Sequence, residues 1–267
     1  MQSKETKALE NTQLASHRRK VAEKINFIFP GELADSYHGL KEARALVADG
    51  HGLLIVLNHF SYRDGPGAFV YIAAQNDELA SKPWLAPVAR HIYEVTDFLN
   101  RHLQTQIDLK PVVTSSTVKK PKYADLKQGA GLIDYIKGSI RTLRDGGVVV
   151  LFPQATRRPF LGEPGPDDRA MELLMRLTTK PNPELNDFGI LPVGFGLDHV
   201  KDYTKHNWIN LLRTYKVNVG KLWVKDEMIS SAHELHLSPD AWVVHQLRPL
   251  VPENYRFPPS GVVFKAP

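Results

Sequence analysis

Three short runs of wholly apolar residues constrain the fold of this chain more than any other feature. They are LLIVL at 53–57, VVVLF at 148–152 and ILPVGF at 190–195. Strands with one exposed face alternate apolar and polar residues, whereas strands covered on both faces are apolar throughout. Helical patterns separate the runs, as in parallel crossover units. The sequence therefore predicts an α/β fold: a single domain with a mostly parallel central sheet flanked by helices.

The N-terminal charge pattern predicts a helical segment in front of this domain. Residues 4–28 are rich in Lys, Arg and Glu, and Pro30 and Gly31 end the pattern. We expect residues 1–33 to form an N-terminal helical segment and residues 34–267 to form the α/β domain. Further helices are predicted over 33–52, 65–80, 91–103, 131–147, 169–179 and 239–250, and further strands over 106–114 and 215–224.

Composition excludes several kinds of site and location. The chain has no cysteine, which excludes disulfides, thiolate metal ligands and a cysteine nucleophile. No apolar run approaches the ~20 residues of a membrane-spanning helix, and the first thirty residues have no apolar signal-peptide centre. We therefore expect a cytoplasmic protein. The net charge of +5 favours anionic partners, although a moderate charge is equally what solubility requires.

His59 and Asp64 follow the first apolar run and form the first candidate site. Five positions apart, they would point about 140° away from each other on a helix, so they can meet only in a turn. A carboxylate bonded to one imidazole nitrogen leaves the other nitrogen free to act as a general base. Ligand sites collect at this end of parallel strands. The alternative is structural, with Asp64 capping the next helix, and both interpretations stay open.

The second candidate site follows the next apolar run, in the sequence GGVVVLFPQATRRP at 146–159. Thr156 and Arg157 come shortly after the predicted strand end. A guanidinium offers a planar fork of donors that suits phosphate oxygens. The pattern therefore predicts a phosphate-binding turn near the His59 turn.

Together these segments resemble the glycerophosphate and lysophosphatidic acid acyltransferase family, the PlsC-like acyltransferases. Asn58, His59 and Asp64 match the family motif N-H-x-x-x-x-D, and residues 152–157 (FPQATR) are similar to the motif F-P-E-G-T-R. ILPVGF, with its central Pro192, resembles a third, hydrophobic motif. The resemblance spans about residues 45–257, in the family's order and spacing.

This resemblance implies an O-acyltransferase of the glycerol-3-phosphate or 1-acylglycerol-3-phosphate type. It would move a fatty acyl group from acyl-CoA or acyl carrier protein to a hydroxyl of glycerol-3-phosphate, lysophosphatidic acid or a related lipid. It implies no cofactor beyond this donor, no metal, and peripheral contact with the cytoplasmic face of the membrane. His59 would be the general base and Asp64 would orient it. The other residues implied are Arg157, Thr156 and Gln154 at the acceptor phosphate, with Asn58, Ala155 and Arg101 in support.

Two departures from the family motif favour a second hypothesis. Gln154 stands where the family has glutamate, and Ala155 stands where it has glycine. Glutamine keeps the size and an acceptor oxygen but loses the charge, and alanine does not easily adopt positive φ. The alternative function is therefore a non-catalytic, membrane-associated lipid-binding protein that retains the fold.

A basic loop between the predicted strands is the remaining candidate. Lys119, Lys120 and Lys122 can meet the phosphates of coenzyme A or the acidic surface of acyl carrier protein; the alternative is a solvated charged loop. A nucleic-acid partner is not expected, because aromatic residues are not interleaved with the basic clusters as a stacking platform requires.

Overall fold

The computed structural model describes residues 4–28, 31–59, 71–72, 76–154, 160–164, 169–178, 188–197 and 214–256. Within these ranges the strands are β1 Gly31–Ala34, β2 Leu53–Leu57, β3 Trp84–Ala89, β4 Ile107–Val112, β5 Val148–Leu151, β6 Gly189–Leu197, β7 Tyr215–Val219 and β8 Trp223–Val224. The α-helices are α1 Lys4–Ile28, α2 Gly39–Ala48, α3 Asp77–Ala80, α4 Tyr93–His102, α5 Ser115–Val118, α6 Leu132–Arg144, α7 Ala170–Thr178, α8 Lys225–Glu234, α9 Pro239–Leu247 and α10 Glu253–Arg256.

All of these strands join one sheet in the order β1-β7-β6-β2-β5-β3-β4, with β8 also paired to β6. Strands β6, β2, β5, β3 and β4 run parallel to one another. Strand β7 is antiparallel to β6, and β1 is parallel to β7. The sheet is therefore mostly parallel, and the predicted α/β fold is confirmed.

The three wholly apolar runs form the centre of this sheet. Every residue of β2, β5 and β6 is buried. Helix α2 packs on β2 and β6, while α6 packs on β3, β4 and β5 and contacts α7. Successive residues of a strand face opposite sides of the sheet, so burial of every residue means that both faces are covered. The absence of apolar–polar alternation in the sequence predicted this.

Strand β3 is an element for which the sequence predicts no strand. It lies between β5 and β4, and Pro87 pairs in register with Lys110. Proline removes a ladder hydrogen bond and is uncommon inside a sheet, so its presence argues against a strand. Neighbouring Trp84 and Leu85 are buried, and this burial accounts for the pairing.

Two further predictions of element boundaries are wrong. The residues at 33–34 belong to β1, and the helix begins only at Gly39, after Asp35 accepts a hydrogen bond from the Leu40 N–H. The strand predicted over 215–224 is interrupted at residues 220–222. This break lies near Pro192 of β6, which has no N–H to donate across the ladder, and whose carbonyl accepts from the Gly220 N–H at 2.9 Å.

Helix α1 is docked on the rest of the molecule through a buried arginine. The Arg18 guanidinium donates to the carbonyls of Ala80 and Thr105 at 2.7 Å, and to those of Lys82 and Gln106. Its side chain is fully buried, and this burial lowers the pKa of Arg18 to about 10. The guanidinium thus stays charged at neutral pH and holds the N-terminal helix against the loops that precede β3 and β4.

Candidate active site at the carboxyl edge of the sheet

The parallel strands bring their C-terminal ends to one side of the sheet, here called the carboxyl edge. Strands β2 and β5 are neighbours there, with Val56 in register with Leu151. Asn58 and His59 therefore leave the sheet beside Phe152. The two segments quoted for the family resemblance, some ninety residues apart in sequence, become adjacent because their strands are paired.

The rings of His59 and Phe152 are in contact. Their centroids are 4.6 Å apart, and the ring planes are inclined at 36°. His59 is half-buried, so its imidazole packs on Phe152 and still reaches solvent. The contact places the candidate base directly against the first residue of the FPQATR segment.

Asn58 fixes the backbone immediately before His59. Its side-chain amide donates to the Phe195 carbonyl at 2.9 Å and accepts from the Phe195 N–H at 2.7 Å. The amide thus bonds both polar groups of a single residue of β6. Asn58 is fully buried, so both polar atoms are satisfied away from water. The Asn58 side chain therefore continues the hydrogen bonding between β2 and β6 up to the residue before His59.

A hydrogen bond from Tyr135 connects helix α6 to the neighbouring strand, β5. Its hydroxyl donates to the Val150 carbonyl at 2.5 Å. Burial raises the pKa of Tyr135 above the usual range, so the hydroxyl keeps its proton and continues to donate. This bond ties α6 to β5 two residues before Phe152.

Gln154 is fully buried at the end of the same segment. Its side-chain Nε2 donates to the Phe160 carbonyl at 3.3 Å. Within the described part of the chain, its Oε1 accepts no hydrogen bond. Gln154 therefore faces the protein interior, where its amide bonds to the backbone of Phe160.

Basic residues extend the carboxyl edge away from His59. Arg90 and His91 follow β3, and the His91 ring nitrogen Nδ1 lies 3.0 Å from the Thr117 hydroxyl. The loop after β4 carries the exposed Lys119, Lys120 and Lys122. Three strand spacings separate β4 from β2, which corresponds to about 14 Å. The sequence analysis did not single out Arg90 and His91, because their place at the carboxyl edge follows from strand β3, which was not predicted.

Arg101 lies away from this edge. It occupies the last turn of α4 and pairs with Asp97 at 3.1 Å on the exposed surface. The adjacent Asn100 side chain pairs with the backbone of Ile107, the first residue of β4. Arg101 is therefore near the amino end of a parallel strand, and the structure does not bring it together with His59.

Four of the residues expected at the site, Asp64, Ala155, Thr156 and Arg157, lie outside the described residues. The described part of the site therefore consists of Asn58, His59, Phe152 and Gln154. The roles implied for the other four stay predictions.

Helix α4 carries a second surface feature. Val95, Phe98 and Leu99 are 65%, 60% and 48% exposed. Their spacing places them on one helical face, and the His102 ring stacks on Phe98 with a centroid distance of 5.9 Å. None of the helices in the described ranges is long and apolar enough to cross a bilayer.

Comparison with known proteins adds no assignment. No family model matches the chain, and no significant match is found among curated proteins.

Proposed function

We propose that the protein is an O-acyltransferase that moves a fatty acyl group from a thioester to a hydroxyl of a phosphorylated glycerol or lysolipid. The acceptor oxygen attacks the thioester carbonyl carbon while His59 takes the hydroxyl proton. The carbon–sulfur bond then breaks, and the protonated imidazole returns the proton to the leaving thiolate. Direct attack requires no acyl-enzyme, which agrees with a chain that has no cysteine.

The contact between His59 and Phe152 carries this proposal. It supports a shared cavity for the base and for the segment 152–157, because adjacent parallel strands end at both. In the proposed complex Asp64 orients His59, and Arg157 with Thr156 holds the acceptor phosphate. General-base catalysis of this kind contributes roughly 10²–10⁴-fold in rate.

The proposed donor reaches the site from the β4 side of the carboxyl edge. Arg90 and the exposed Lys119, Lys120 and Lys122 supply positive charge on that side. Such a surface suits the phosphates of coenzyme A or an acidic carrier protein. The exposed apolar face of α4 is our candidate for contact with the bilayer that holds a lipid acceptor. The same face would equally suit the alternative function, that of a lipid-binding protein without turnover.

A donor-by-acceptor screen tests the proposal. We expect the purified protein to acylate at least one phosphorylated acceptor from acyl-CoA or acyl carrier protein, with the product identified by mass spectrometry. In the Arg157→Ala variant the KM for the acceptor should rise by about tenfold or more, because a charged hydrogen-bonding pair is lost, while the donor KM should change little.

Two outcomes would contradict this assignment. Lysolipid binding without turnover across the whole panel would favour the non-catalytic alternative. An equal rise of both Michaelis constants in Arg157→Ala would remove Arg157 from the acceptor phosphate.

A further inference from the structure

We propose that helix α1 is a clamp that fixes the position of helix α4, with His17 and Arg18 as its positioning residues. The clamp acts on residues 103–106, which join α4 to β4 and are here called the α4–β4 connection. The hydrogen bonds that define the clamp do not depend on acyl transfer. Its consequence for the apolar face of α4 rests on the bilayer contact in the proposed function.

Three of the four carbonyls in the α4–β4 connection accept hydrogen bonds from α1. His17 donates from Nε2 to the Leu103 carbonyl at 2.8 Å. The Arg18 guanidinium donates to the carbonyls of Thr105 and Gln106, at 2.7 and 3.0 Å. Arg18 and Thr105 are buried, which shields these bonds from competing water. Two adjacent residues of α1 therefore hold most of the connection.

The backbone of the connection adopts a conformation that is uncommon for residues with a side chain. The φ of Gln104 is 51° and that of Gln106 is 54°. Both values lie in the left-handed region, where the Cβ atom crowds the backbone. Such residues persist where the surrounding structure over-determines them. The bonds from α1 supply that restraint on the carbonyl side of the connection.

The N–H side of the connection bonds to the last turn of α4. The N–H groups of Gln104 and Thr105 donate to the carbonyls of Arg101 and Asn100, each at 3.1 Å. The Asn100 side chain in turn bonds both polar groups of Ile107, the first residue of β4. The connection therefore joins α1, α4 and β4 in one hydrogen-bonded network.

Helix α4 depends on this network because the core gives it little support. Every residue of α4 is at least partly exposed, whereas α2 and α6 each bury four residues. Elements with few buried apolar contacts open locally at low free energy. The bonds from α1 therefore supply a restraint that packing on the sheet does not.

A fixed α4 presents its apolar face in one orientation. Val95, Phe98 and Leu99 are exposed together on that face. If α4 were loose, it would have to be ordered at the moment of binding, and this ordering would weaken the affinity for a bilayer. We therefore expect the clamp to strengthen bilayer binding although His17 and Arg18 do not contact lipid.

Hydrogen exchange measured by mass spectrometry tests the clamp without reference to catalysis. We compare the wild type with His17→Ala, which removes one bond, and with Arg18→Lys, which keeps the charge but replaces the planar fork with a single ammonium. Arg19→Lys is the matched control, because Arg19 is the next residue of α1 and pairs with the exposed Asp77. Peptides spanning 98–107 report on the connection, and those spanning 225–234 report on α8, which packs on β6 and β8.

Exchange in 98–107 should be about tenfold faster in His17→Ala, because loss of one hydrogen bond raises the open population by roughly that factor. It should be faster still in Arg18→Lys. Exchange in α8 should stay at the wild-type rate, and Arg19→Lys should match the wild type in both regions. His17→Ala keeps the test decisive if Arg18→Lys does not fold. An unchanged rate in 98–107 of His17→Ala, or an equal rise in α8, would overturn the clamp.

Vesicle binding separates this inference from the proposed function. His17→Ala should float less with phosphatidylcholine–phosphatidylglycerol vesicles than the wild type and Arg19→Lys do. Faster exchange with unchanged flotation would overturn the consequence for the bilayer. Faster exchange and weaker flotation in a protein that transfers no acyl group would support the inference and reject the proposed enzyme.

Discussion

At the scale of single residues, the candidate site depends on a side-chain amide that bonds both polar groups of one residue in the neighbouring strand. Asn58 pairs with both polar groups of Phe195, and Asn100 pairs in the same way with Ile107 at the opposite edge of the sheet. Each amide presents one donor and one acceptor side by side, so that it bonds the N–H and the C=O of a single residue. The first of these bonds holds the backbone next to the candidate base, whereas the second is remote from it.

This pairing predicts a specific effect of Asn58→Asp. The carboxylate can still accept from the Phe195 N–H, but it cannot donate to the Phe195 carbonyl, and it buries a charge. We expect the free energy of unfolding in urea to fall by about 3 kcal/mol, and the kcat of acyl transfer to fall because His59 is no longer held in place.

The matched control is Asn100→Asp, which damages an equivalent bond at the other edge. It should lose stability while its kcat stays near the wild-type value, measured at a temperature where both variants are folded. Equal losses of kcat in the two variants would mean that Asn58 contributes stability and no positioning.

At this scale the sequence predicted candidate residues but not the residues that they contact. Asn58 and Gln154 were both singled out through the motif resemblance. Their partners, Phe195 and Phe160, were not, because a side chain's partner follows from three-dimensional packing and leaves no periodic signal. Arg101 was implied only in support, through the resemblance, and the fold places it in the last turn of α4, near the amino end of β4.

At the scale of elements, the wholly apolar runs were a reliable signal, whereas strand β3 was not predicted. Strands β2, β5 and β6 were predictable because both faces are covered, so no polar residue interrupts them. Strand β3 was not, since Pro87 argues against a strand and only burial between β5 and β4 overrides it. Strand β1 has four residues without β-branched or aromatic side chains, and it exists through its pairing with β7.

Because helix α4 has an exposed apolar face, we expect the protein to bind anionic bilayers. Burying one large apolar side chain contributes about 1.5–3 kcal/mol, so Phe98→Ser should weaken binding to phosphatidylcholine–phosphatidylglycerol vesicles at least about tenfold. Co-flotation with such vesicles measures this directly. The nearby cations Arg90, Lys119 and Lys120 should make the binding weaker as salt concentration rises.

The control for this prediction is Ile229→Ser, at an exposed apolar position on α8. It should float with vesicles as the wild type does. Unchanged binding of Phe98→Ser, or an equal loss in Ile229→Ser, would exclude α4 as the lipid-facing surface.

At the scale of the whole molecule, the strand order places the candidate residues along the carboxyl edge of the sheet. The candidate base follows β2, the candidate phosphate segment follows its neighbour β5, and the basic residues follow β3 and β4 beyond it. In open parallel sheets, ligands bind outside the carboxyl ends of the strands. In the proposed function, a thioester donor and a phosphorylated acceptor would approach His59 from different directions along this edge.

The rate of thioester-dependent acylation in His59→Ala, compared with the wild type and with His245→Ala at an exposed position of α9, tests the central claim most directly. His59→Ala should be folded and should lose roughly 10²–10⁴-fold in kcat, while His245→Ala should keep the wild-type rate. A His59→Ala protein as active as the wild type would contradict the account.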